Sequence, residues 1–191
     1  LHLDSDEVLS DQLIKNISNV IKSKENKFAY LVKRKIYFMK KKISFGGSSN
    51  WHLRLFPSKT TLVENTGYDQ HFVTRVQTKY LSGYLHDHNI KSLSDWTISH
   101  NRWSTSDANT LNKSDPSNLI YPNLFGNSIE RVRFFKKLFN FLPTFLKLIV
   151  IFIYKYIFRL GFLDGKIGFF YCFFYSWFRI LIDAKKYEKK L

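Results

Sequence analysis

Cysteine is nearly absent from this 191-residue chain. Its single thiol, Cys172, excludes an intrachain disulfide and any zinc site built on several cysteines. Set in Phe-Tyr-Cys-Phe-Phe, it reads as a small buried apolar residue. Acidic residues are also few: 15 Asp and Glu stand against 30 Lys and Arg, which leaves a formal charge of +15 and demands an anionic partner or surface. No apolar run reaches the roughly 20 uninterrupted residues that a clean spanning helix needs. No internal repeat or low-complexity tract is present. The opening Leu1-His2-Leu3 has no basic n-region or cleavage site behind it, so a signal peptide is not expected there. Without an initiator Met, it predicts a fragment entered partway along a strand.

What is abundant is basic and aromatic, and it is unevenly spread. From Glu130 to Leu191 there are thirteen Lys and Arg against four Asp and Glu, so +9 of the +15 lies in the last third, where Phe, Tyr and Trp also crowd. Cations embedded in apolar sequence fit a membrane interface better than a nucleic-acid groove. No recognition motif for nucleic acid is present, and a nucleic-acid partner is not expected.

Along the chain, residues 1–9 read as a short strand ending in an acidic loop. Ser10 and Asp11 supply N-cap chemistry for a helix with Leu13, Ile14, Ile17, Val20 and Ile21 on one face. Strands are expected over 28–32, 35–39 and 51–56, the last stopped by Pro57, with extended segments at 72–76 and 80–86. Residues 46–50 form a loop. Ser92 caps a further helix, with Asp95 three residues on and Leu93, Trp96, His100 and Trp103 repeating at helical spacing. Ser, Asn, Asp and Pro over 104–128 predict a loop, with the linker proper at 113–128 between regions 1–112 and 129–191. Beyond it, two apolar stretches (134–158 and 167–182) flank Leu160-Gly-Phe-Leu-Asp-Gly165. Lys147, Lys155 and Arg159 interrupt the first at spacings that share one face, and Arg179 interrupts the second. The expectation is a helical pair in the headgroup region with its cations snorkelling outward, or a short re-entrant hairpin.

Asp4-Ser5-Asp6-Glu7 is the chemically richest point. Two carboxylates one residue apart can converge on Mg²⁺ or Mn²⁺, which is held by one or two carboxylates together with diphosphate oxygens. The plainer alternative is an acidic lead-in to a helix. Leu3-Asp-Ser-Asp-Glu-Val-Leu-Ser10 resembles the strand, Asp-x-Asp-Glu, helix signature of family 2 glycosyltransferases. Further similar segments follow in order: Trp51-His-Leu-Arg-Leu-Phe56, Tyr68-Asp-Gln-His-Phe72, the block from His86 to Trp96 with His100-Asn-Arg-Trp-Ser104, and Arg159 to Gly165. The last two are similar to the C-terminal block and membrane-associated tail of lipopolysaccharide- and exopolysaccharide-type members.

That resemblance implies an α/β chain: the C-terminal portion of a GT-A, Rossmann-like catalytic domain (1–112), followed by membrane-associated amphipathic helices. It implies a nucleotide-sugar donor, a lipid-linked or glycolipid acceptor, a divalent metal and inversion at the anomeric carbon. The place of action would be the cytoplasmic face of the inner membrane. Asp6 would contact the metal, with Asp4 beside it. Asp69 would be the general base, with His71 as competitor, because the family's Glu-Asp pair is not reproduced around Asp69. Glu7, Arg54, His86, His88, Arg102 and Trp103 would line the donor or its diphosphate. Plainer alternatives stand beside them: Glu7 at a helix start, Arg54 as a partly exposed strand residue, Asp69 in a turn, His71 buried at a strand start, His86 and His88 at a polar strand end, Trp103 in a helix core. Lys147, Lys155, Arg159 and Arg179 would meet the membrane interface. The rival reading is a non-catalytic membrane-binding module.

Overall fold

The computed structural model describes residues 1–23, 27–47, 51–63, 72–87, 92–110, 122–126 and 128–191. It is mixed α/β, with a mixed five-stranded sheet and a long apolar C-terminal helix. The strands are β1 (Glu7–Leu9), β2 (Ala29–Phe38), β3 (Lys41–Ile43), β4 (Trp51–Leu55), β5 (Thr61–Val63), β6 (Phe72–Thr74) and β7 (Thr78–Asp87). β2 is the spine: β7 runs parallel to it on one edge, while β4 and β3 pair antiparallel with its first and second halves on the other. β1 closes the far side of β7 antiparallel, and β5 and β6 form a separate two-stranded ribbon.

One strand replaces the two expected over 28–39. Lys33 and Arg34, between the two stretches, alternate to opposite faces, and Arg34 is paired with Asp87 at 3.8 Å. The start of the chain is also reordered. The acidic residues precede the strand instead of ending it, because the Glu7 carboxylate accepts from the Asp4 amide (3.0 Å) and closes a turn ahead of β1.

Helix α1 (Asp11–Lys22) follows the predicted pattern. Ser10 Oγ accepts from Leu13 N (3.3 Å) and also from Tyr84 N (3.0 Å), so a single hydroxyl caps the helix and ties it to β7. Its buried Leu13 and Ile17 form the first core with Tyr30, Val32, Leu81 and Leu85. Docking requires a bulge: the β2–β7 register jumps between Val32 and Lys33, leaving Ser82 and Gly83 out of the ladder. The freed Ser82 carbonyl accepts from Asn16 Nδ2 (2.9 Å). Gly83 sits at φ +109°, where a Cβ would lie 2.7 Å from the Leu13 backbone.

Helix α2 (Leu93–Thr110) is capped by Ser92, whose Oγ accepts from Asp95 N (3.1 Å). It runs well past the predicted loop boundary at 104. Ser104 donates back to the Asn101 carbonyl, Ala108 packs against Phe178 and Ile182, and Lys185 Nζ bonds the Asn101 carbonyl and Thr105 Oγ1. Tertiary packing overrides the weak local propensity of a Ser-, Thr- and Asn-rich run. The expected continuous stretch 134–158 is two helices, α3 (Ser128–Asn140) and α4 (Thr144–Ile153), separated at Pro143. α4 passes into a π-helical turn (Tyr154–Phe158), then a short 3₁₀ turn (Gly161–Asp164) leads into α5 (Gly165–Glu188).

α5 is held by the rest of the chain. Phe38 at the end of β2 meets Trp96 and Tyr171 edge-on at ring-centre distances of 5.4 and 5.6 Å, in a second core with Ile43 and Cys172. Cys172 is fully buried, as its sequence setting predicts.

Candidate functional site

The acidic loop is organised by Arg54. This side chain, 7 % exposed, comes from β4 and donates from its guanidinium to Asp4 Oδ2 (2.9 Å) and Glu7 Oε1 (2.5 Å), with His2 Nδ1 at 3.1 Å. The backbone amide of His2 donates to the Arg54 carbonyl (2.8 Å). Arg54 therefore clamps the acidic loop to the sheet. Glu7 is a buried ion-pair partner, its side chain 1 % exposed, whereas the Asp4 side chain remains half exposed. Asp6 lies at intermediate exposure in the same turn.

Asp87, opposite Glu7 in the β1–β7 ladder, completes this end of the sheet. Burial pushes its carboxyl above the usual carboxylate range, Arg34 pulls it back down, and the charges of Asp6, Glu7 and Asp4 push it up again. Four acidic side chains thus feel one another across the end of β1 and β7. Asp87 was not legible as a site residue, because a lone Asp at a strand end carries no motif and only pairing puts it beside Glu7.

Among the described residues, no group of three or more His, Cys, Asp or Glu side chains is arranged to hold a metal ion by itself. Asp4 and Asp6 fit a more modest requirement. A hard cation bound mainly through phosphate oxygens takes only one or two protein carboxylates, and the Asp4 carboxylate reaches solvent even while Arg54 holds one of its oxygens.

The other sequence-derived candidates do not gather here. His86 is hydrogen-bonded with Tyr37 Oη through Nδ1 (2.8 Å), on the sheet face opposite to Glu7 and Asp87. Arg102 is exposed on α2, and Trp103 is half-buried against the core that α2 forms with α5. His100 lies over Trp96 with ring centres 3.4 Å apart and donates from Nδ1 to the Trp96 carbonyl (2.8 Å). Asp69, His71 and His88 lie outside the described residues.

The C-terminal hairpin reverses the expected orientation of its cations. Lys147 and Lys155 point inward and are 8 % and 6 % exposed. Lys147 Nζ pairs with Asp183 at 2.6 Å. Lys155 Nζ donates to the Gly46 carbonyl (2.9 Å) and sits 3.8 Å from the centre of the Tyr175 ring. Arg159 is exposed along its length but donates from its guanidinium to the Gly47 carbonyl (3.1 Å), and Arg179 is half-buried. Asp164 accepts from the amides of Ser44 and Phe45 at 3.1 and 2.8 Å, so the loop after β3 is clasped onto the hairpin tip. At that tip a Cβ on Gly168 would fall 2.0 Å from the Gly161 carbonyl oxygen, a closeness only glycine permits. The outside of the hairpin is apolar: Phe145, Ile149, Val150, Ile157, Phe158, Leu163, Phe169 and Phe173 are all exposed, with Phe158 at 74 %.

The segment Gly161–Glu188 is long and apolar enough to cross a membrane by length and composition, with a third of its apolar window buried inside the protein. No family model, no curated protein and no solved structure matches this chain.

Proposed function

We propose that this chain is the acceptor-side and membrane-docking part of an inverting, metal-assisted glycosyltransferase with a GT-A architecture. It would transfer a sugar from a nucleotide-sugar donor to a lipid-linked or glycolipid acceptor. The observation that carries the reading is the Asp4-to-Glu7 turn, which Arg54 clamps to the sheet so that Asp4 and Asp6 stay accessible beside Asp87. An acidic lead-in to a helix would need no buried arginine to hold it. Mg²⁺ or Mn²⁺ held by Asp6 and Asp4 would neutralise charge on the departing nucleoside diphosphate. Arg54 holds the loop's geometry instead of touching diphosphate. The acceptor hydroxyl attacks the anomeric carbon from the face opposite the leaving group, and a base takes its proton. On the family resemblance that base is Asp69, with His71 as its competitor.

The hairpin supports a lipid-proximal setting. Buried, paired lysines inside a shell of exposed Phe, Ile and Leu invert the arrangement of a water-soluble helix pair. α5 also packs along α2 and against Phe38, so a bilayer-spanning position would drag the polar face of α2 into hydrocarbon. A position in the headgroup region, at the cytoplasmic face of the inner membrane, avoids this.

The test is release of nucleoside diphosphate by the intact protein in membranes, from a panel of nucleotide sugars with and without Mn²⁺ or Mg²⁺. Metal-dependent release that disappears in the Asp4→Asn/Asp6→Asn variant is expected. Undiminished release in that variant refutes the metal assignment, and a folded, membrane-bound protein that binds no metal and releases nothing favours the membrane-binding module.

A further inference from the structure

The five-stranded sheet uses only one face for its two cores. Tyr30, Val32, Leu81 and Leu85 lie under α1, and Phe38, from the same alternating set of β2, lies under α2 and α5. The opposite face carries the odd-numbered residues Leu31, Lys33, Lys35 and Tyr37 of β2, together with Trp51 and the buried Leu53 of β4, Lys42 of β3, and Tyr80, Tyr84 and His86 of β7. Three contacts confirm the shared face. The Trp51 and Tyr80 rings meet across β2 at 4.7 Å between centres, Lys35 Nζ lies 3.3 Å over the Tyr84 ring, and Tyr37 Oη is hydrogen-bonded with His86 Nδ1. Trp51 is 43 % exposed and Tyr80 68 % exposed.

Large aromatic rings left open to solvent on a regular sheet usually mark a surface awaiting a partner. The chemistry on this face narrows the choice. Lys33 and Lys35 occupy the middle of the row, so an apolar protein layer or acyl chains laid on the face would bury two ammonium groups without counter-charge. A single nucleic-acid strand calls for cations tracking its backbone nucleotide by nucleotide. Here three lysines, Lys33 and Lys35 of β2 and Lys42 beside Tyr37 on β3, serve a row of about 20 Å and sit on two strands rather than in one line, taking about 3.3 Å per residue from position 31 to 37. A chain of sugar rings with occasional negative charge meets all three features. Its C–H faces pack on Trp51 and Tyr80, its sparse anionic groups meet Lys33 and Lys35, and its hydroxyls bond to the Tyr and His edge.

We infer that this face, on which the Trp51 and Tyr80 rings are exposed, is a binding platform for an anionic saccharide, with Trp51 and Tyr80 as the stacking end and Lys33 and Lys35 as the charge-reading centre. On the transferase reading, on which only the ligand's role rests, the saccharide is the glycan of the acceptor. The His86 end of the row abuts Val8 in β1, directly after the acidic loop, so a glycan lying along β2 is led toward Asp6.

The experiment is calorimetric titration of the full chain in detergent, without donor or divalent metal, using pentamannose 6-phosphate, its dephosphorylated form and a ten-residue oligothymidylate. Binding of the phosphorylated pentasaccharide is expected, weakened about tenfold or more by Trp51→Ala or Tyr80→Ala and retained by Tyr80→Phe. Lys33→Gln/Lys35→Gln is expected to abolish the preference for the phosphorylated over the dephosphorylated form. Absence of saccharide binding, binding indifferent to Trp51 and Tyr80, or tighter Trp51-dependent binding of the oligothymidylate each overturns the inference. The Asp4→Asn/Asp6→Asn variant separates the two proposals: it is expected to bind the pentasaccharide normally, so transfer can fail while the platform stands, and the reverse.

Discussion

Replacing Arg54 by Met tests the clamp on the acidic loop. The substitution keeps length and apolar volume but removes the charge that two carboxylates share. Glu7 is the costly partner left behind, because its side chain is 1 % exposed and cannot turn to water. Among the described residues, its carboxylate otherwise accepts only from the Asp4 amide. Breaking a buried pair from one side costs about 3–5 kcal/mol, whereas the Asp4 contact, half exposed, adds at most about 1 kcal/mol. Against a domain stability of about 5–15 kcal/mol, that loss is a large fraction of the whole. The paired variant Arg54→Met/Glu7→Gln removes both buried charges and is expected to recover most of the loss, a coupling of at least about 2 kcal/mol. Urea unfolding of the four proteins in detergent, followed by tryptophan fluorescence, closes the cycle. A loss below about 1 kcal/mol for Arg54→Met, or no recovery in the double variant, would show that the Arg54–Glu7 pair does not hold the loop.

Three further outcomes follow from other parts of the molecule. Gly83→Ala places a Cβ 2.7 Å from the Leu13 backbone at φ +109°, and is expected to lower stability by about 2–4 kcal/mol in the same unfolding measurement, with α1 lifting from β7. Asp87→Asn should raise the melting temperature near neutral pH in the presence of a chelator. Because the folded carboxyl has its affinity for protons raised, the ionised form weakens the native state; that penalty fades as pH falls through the folded pKa, so the advantage of Asn vanishes toward about pH 4. Phe145→Ser/Phe158→Ser removes two of the most exposed rings of the hairpin, and sedimentation with anionic vesicles should show partitioning reduced by about tenfold or more per ring while stability in detergent is unchanged.

Some of this protein was determined by its sequence alone. Periodicity and caps are local, so α1 with its Ser10 cap, the Ser92 start of α2, the strand stopped at Pro57 and the burial of Cys172 were legible from spacing and residue type. So was the basic, aromatic character of the last third. Tertiary structure decided what those residues do. Nothing local separates a lysine that snorkels outward from one that turns in; Lys147 and Lys155 turn in because Asp183, the Gly46 carbonyl and the Tyr175 ring wait inside, with Asp183 36 residues from Lys147 and Gly46 109 from Lys155. Arg54 looked like a strand residue open to a ligand until the fold brought Asp4 and Glu7 to it across nearly 50 residues. α2 outran its sequence signal at Ser104 because Phe178, Ile182 and Lys185 hold its last turns. The open aromatic face is decided by register alone: shifting β7 by one residue against β2 would bury Tyr80 and Tyr84 and expose Leu81 and Leu85. Local sequence sets which side chains alternate and where a helix begins, but the partner of a charge and the covering of a face are set by residues distant in the chain, and only the folded chain brings them together.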